Sequence, residues 1–137
     1  MRRSLDDATL GGSLRPPGPI QLGMTTREVP GAIVVAVTGE LDILTAPKLG
    51  TRLDEVIRRE RGDVVIDLSA AGFIDSIGLH MLLKVQRRLS HRSRSLTVVC
   101  AEGPVRYAIE LSRLAEALGL VSSLAEYDLR RAARLAG

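Results

Sequence analysis

The sequence has one cysteine, no tryptophan, one phenylalanine and two tyrosines among its 137 residues. A lone thiol excludes an internal disulfide, so a packed core has to hold the fold, and a chain of this length buries about two thirds of its unfolded surface. Cys100 lies in the apolar run "LTVVCA" and reads as a small packed side chain in a reducing compartment. The shortage of aromatics removes the stacking platforms on which single-stranded nucleic acid is gripped. Long apolar runs are missing too. No stretch approaches the roughly 20 residues that span a bilayer, and "MRRSLDDATL" has acids where a signal peptide has its apolar region. A cytoplasmic protein with no membrane partner is expected. Nor does one charge sign dominate: 19 Lys and Arg face 16 Asp and Glu, a net charge of +3. The bases are interleaved with acids or gathered in the tail "RRAAR", so no nucleic-acid partner is expected.

What is present is an alternation of strand and helix signals. Residues 1–20, ending in "LRPPGPI", have no apolar periodicity and read as a flexible leader to a single domain over 21–137. "QLGMTTREV" and "AIVVAVTG" flank Pro30 and Gly31, a hairpin signature. Thr45, as an N-cap with Pro47 in the first turn, opens a helix through Leu49, Leu53, Val56 and Ile57, and Gly62 offers a left-handed stop. "DVVIDLS" reads as a strand buried on both faces, and "SIGLHMLLKVQRRLSHR" as a helix with Leu79, Leu82, Leu83, Gln86 and Leu89 on its apolar side. "SLTVVCA" repeats the strand and "PVRYAIELSRLAEAL" the helix, started by Pro104. A short strand near Leu120 and Val121 precedes a last helix, for which Ser123 and Glu126 have capping-box spacing. The order predicts an α/β fold: a mixed sheet of four to five strands, an N-terminal antiparallel hairpin at one side, and helices packed on it.

In such sheets, function gathers where strand carboxyl ends meet helix amino ends. "GELD", residues 39–42, and "FIDSIG", residues 73–78, both fall there and should be neighbours. Ser76 is either folded back as a helix cap or offered to solvent; Asp75 can itself cap, which leaves Ser76 available. Gly78 removes a side chain one turn from where another molecule would approach. A nucleophilic role for Ser76 lacks support, since His80 is about 6 Å along the helix and no strained G-x-S-x-G elbow is present. No catalytic or metal site is expected. The stripe His80, Lys84, Arg87 and His91 reads as a solvated face. Ile77 and Met81, one turn apart, either form an apolar contact for a partner beside Ser76 or pack under the "GELD" loop.

Taken in order, "VTGELDILTAPKL", "VVIDLSAAGFIDSIGLHMLL" and "LTVVCAEGPVRYAIELSRL" resemble the anti-sigma factor antagonists of the STAS domain family, over about residues 22–129. The resemblance implies a non-enzymatic bacterial partner-switching protein. Unphosphorylated, it would bind an anti-sigma factor that is also a serine kinase and so release the sigma factor. Phosphorylated at the serine of the "DS" motif, by position Ser76, it would not bind until a PP2C-type phosphatase restored it. It also implies that Asp42 and Asp75 present the serine for kinase recognition and that ATP belongs to the kinase. Glu40, Ile77, Gly78 and Met81 join these two acids as candidate partner-binding residues, and the chain is expected to need no cofactor and to be a monomer or weak dimer. The chain departs from the family pattern at Ile77, where a second serine is usual, and at Ser112 and Arg113, where a glycine usually breaks the third helix; that helix ends either there or at Gly119. The alternatives are a STAS scaffold or stress-signalling subunit, which would be a stable oligomer, and a STAS accessory subunit of a membrane lipid transporter, which would purify with an ATPase.

Overall fold

In a computed structural model, which describes residues 22–136, the order is β1 (Leu22–Val29), β2 (Ala32–Leu41), α1 (Ala46–Arg59), β3 (Asp63–Ile74), α2 (Ser76–Ser90), β4 (Leu96–Val99), α3 (Pro104–Leu111) and α4 (Leu124–Ala136). The leader expected over residues 1–20 lies outside the described part. The four strands form one sheet in chain order, with β1 antiparallel to β2 and the remaining pairs parallel. The expected hairpin forms: Val29 pairs with Ala32 around Pro30 and Gly31, and Gly31 takes a positive φ of 76°, as the third residue of a type II turn does. A single bridge between Val99 and Val121 is what remains of a fifth strand.

Strand alternation divides the core in two. Ile33, Val35 and Val37 of β2 and Val64, Ile66 and Leu68 of β3 point to one face, where α1, α2 and α3 lay Leu49, Leu53, Leu82, Leu89 and Ile109 on them. Ala32, Val34, Val65 and Val99 point to the other, where Val121, ahead of α4, and Tyr127, in α4, cover them. Val64, Val65 and Ile66 are all fully buried, as a strand covered on both faces demands. Cys100 is buried as well, and that burial raises its thiol pKa.

Several local readings change. Gly62 is not a left-handed stop. α1 leaves its helix through an extended Glu60, and Gly62 is small because a Cβ there would lie 2.3 Å from the Gly31 carbonyl oxygen. Thr45 heads α1 without capping it by its side chain; its hydroxyl donates to the Glu40 carbonyl at 2.5 Å. On α2 the buried place expected for Gln86 belongs to Val85. β3 runs past Ser69 to Ile74, because it takes extra residues between the Ala36 and Thr38 pairings and between those of Gly39 and Glu40. These bulges break the period of two and keep the strand paired with β2 to its end. The third helix stops at Leu111: Arg113 turns left-handed at φ 61°, and the Leu114 N–H reaches the Ile109 carbonyl at 3.2 Å.

Candidate functional site

The last pair of the β2–β3 ladder is Leu41 with Ile74, so the two chain exits toward α1 and α2 lie side by side, as expected for "GELD" and "FIDSIG". The Asp75 N–H donates to the Leu41 carbonyl at 3.1 Å and ties the exits together. Asp75 is extended, its carboxylate accepts the Gly78 N–H at 3.0 Å, and its carbonyl accepts the Leu79 N–H at 3.0 Å. It is therefore the N-cap of α2. Ser76 becomes the first helical residue and is exposed; among the described residues no group hydrogen-bonds its hydroxyl. Of the two polar residues at this junction, one closes the helix and the other is left to solvent.

Across the junction, Asp42 shapes the start of α1. Its Oδ1 accepts the Leu44 N–H at 2.9 Å and the Thr45 N–H at 3.1 Å, while its own N–H donates to the Thr45 hydroxyl oxygen at 2.9 Å. The carboxylate thus fixes the loop beside Ser76 through these contacts. Half-buried Glu40, the last residue but one of β2, pairs with Phe73 and holds the same loop by its carbonyl.

The locked loop turns Ile43 and Leu44 outward, 66% and 65% exposed, and Ile77 and Phe73 on the neighbouring exit are 44% and 46% exposed. Exposed large apolar side chains on two adjoining chain exits make this edge a candidate contact surface. The sequence reading found Ile77 and missed Ile43, Leu44 and Phe73; two apolar residues inside an Asp-to-Thr turn were the available signal. Ile77, exposed, and Met81, half-buried against the core, both line an open groove of about 390 Å³ between α1 and α2. Gly78, expected to leave room for another molecule, faces inward: a Cβ would lie 2.8 Å from the Leu41 carbonyl oxygen and 2.9 Å from the Ile74 side chain. Its smallness serves the close approach of α2 to β2.

His80, Lys84, Arg87 and His91 are exposed as expected of a solvated stripe. Among the described residues, no three His, Cys, Asp or Glu side chains converge as metal ligands, and no helix is long and apolar enough to cross a membrane.

Residues 23–127 match the family model for the STAS domain. The chain belongs to that family. This STAS chain is 31% identical over 106 residues to the anti-sigma-F factor antagonist RsfB of Mycobacterium tuberculosis, a match covering 77% of the chain and 86% of the relative. The crystal structure of an anti-sigma factor antagonist from Mycobacterium paratuberculosis superposes with a TM-score of 0.73 at 30% identity, over 80% of this chain and 92% of that one. The anti-sigma factor antagonist SpoIIAA in its unphosphorylated form gives a TM-score of 0.67 at 18% identity, over 80% and 96% of the two chains, and shares the fold. The resemblance to antagonists of this family and the α/β fold expected from the sequence are both borne out.

Proposed function

We propose that this STAS domain is an anti-sigma factor antagonist whose binding is switched by phosphorylation of Ser76. The observation that carries the reading is the division of labour at the head of α2: Asp75 caps, and Ser76 stands exposed beside Ile43, Leu44 and Ile77. Relatives named as anti-sigma factor antagonists supply the class of partner. In the unmodified state the apolar edge docks on the anti-sigma factor, which gives up its sigma factor. That partner is also the serine kinase, and the ATP is its own. The Ser76 Oγ attacks the γ-phosphorus, the bond to the departing ADP breaks, and the hydroxyl proton passes to a base of the kinase.

The product carries about −1.5 to −2 charges at a helix amino end. The helix dipole favours an anion there by roughly 0.3–1 kcal/mol, and repulsion from the Asp75 carboxylate opposes it by a similar amount. The fold survives the modification. The contact does not: a dianion set unpaired into an apolar interface costs a few kcal/mol, about a hundredfold or more in affinity. A PP2C-type phosphatase resets the cycle.

Incubation with the purified anti-sigma kinases of the source organism and ATP, followed by mass-spectrometric mapping, should place one phosphate, on Ser76. Ser76→Ala should bind the partner constitutively and Ser76→Asp weakly. Phosphate on another residue, or wild-type binding by both variants, would remove the reading.

A further inference from the structure

The groove between α1 and α2 has a regular construction. Ile77, Met81, Lys84 and Arg88 follow one another along α2 at steps of one turn, facing Gly50 and Asp54 of α1, and the far end is closed by an ion pair between Arg88 and Asp54. The near end is lined by Ile77, the residue that follows Ser76. Gly50 keeps the groove wide; the closest group to a Cβ placed there is Met81, with Cγ at 3.8 Å. The floor at the open end is apolar. Of the charged side chains that line the groove, Arg88 pairs with Asp54, and exposed Lys84 adds a positive charge to the wall.

We infer that this groove is a second docking element for the anti-sigma partner and that it receives an acidic amphipathic helix. The inference rests on the function proposed above. Two parallel helices lined at one-turn steps form a trough into which the apolar stripe of a third helix fits. Apolar residues of that helix would sit over Ile77 and Met81, and an acid on its flank would meet Lys84. Phosphate backbones also seek positive charge, but an apolar floor with no aromatic platform and an Asp54 in the wall favour a peptide. The geometry also places the occupant's end next to Ser76, so partner affinity and access to the modified hydroxyl draw on one continuous surface.

The probe is the anti-sigma kinase that phosphorylates Ser76, titrated calorimetrically against full-length chains. Gly50→Leu, which fills the trough, and Lys84→Glu, which inverts its exposed charge, should each weaken binding by about tenfold or more. Arg134→Glu, on α4 across the sheet, should leave it unchanged. Melting temperatures within a few degrees of wild type keep the comparison valid, and Lys84→Glu serves if Gly50→Leu folds poorly. Wild-type affinity should fall with added salt, and the fall should be shallower for Lys84→Glu. If both groove variants bind within twofold of wild type while Ser76→Asp still fails to bind, the groove assignment is wrong and the switch stands. If wild type binds no anti-sigma factor, both are wrong. Displacement of the kinase by a 20-base-pair duplex, or self-association that the groove variants abolish, would overturn the choice of occupant.

Discussion

At the head of α2 three adjacent requirements are met by different residues. Asp75 satisfies the Gly78 N–H, Ser76 faces solvent, and Gly78 lets the helix approach Leu41. Their substitutions should therefore differ in kind. Asp75→Ala loses the cap and should cost about 1 kcal/mol in urea unfolding, whereas Ser76→Ala, at an exposed first-turn position, should stay within about 0.5 kcal/mol of wild type. Gly78→Ala would ordinarily favour a helix. Here the added methyl meets the Leu41 carbonyl and the Ile74 side chain, and the variant should be less stable by about 1–3 kcal/mol. The first two roles were legible in "FIDSIG", because a cap is a local pattern. The third was not, because the atoms that forbid a side chain belong to β2, far away in sequence.

Element boundaries followed the same division. Pro30–Gly31, Pro104 and the Ser123–Glu126 pair announced their turn and helix starts correctly, since each acts within a few residues. Exits were harder. α1 ends where Arg94, beyond β3 and α2 in sequence, donates from Nη1 to the Ile57 carbonyl and from Nε to the Gly62 carbonyl, both at 2.8 Å. That long-range cap has no local signature. Arg94→Met should cost about 2–3 kcal/mol, and Arg94→Lys should recover little of it, because an ammonium cannot fork between two carbonyls. At the start of α4, Glu126 accepts the Ser122 N–H at 2.7 Å, and this hydrogen bond first, with Arg130 nearby, lowers its pKa below the usual glutamate value. A carboxyl depressed in the folded state contributes stability above its unfolded pKa and loses it as pH falls through the folded one. Melting curves should show wild type losing more than Glu126→Gln as pH drops below about 4.5.

For the whole molecule, the alternating pattern of the sequence dictated an α/β sheet with a hairpin at its edge, and strand order placed the "GELD" and "FIDSIG" exits together. The outward turn of Ile43 and Leu44 and the trough between α1 and α2 were not legible, because each depends on how separate segments pack. Those features give one edge of the protein exposed apolar side chains beside the exposed Ser76. The account predicts a change of binding without a change of fold. The most direct measurement is a calorimetric titration of the anti-sigma partner against the unmodified chain and against the chain phosphorylated at Ser76, with melting followed in parallel. Affinity should fall by about a hundredfold or more while the melting temperature moves by only a few degrees. Equal affinity for both forms, or a loss of binding that accompanies unfolding, would contradict it.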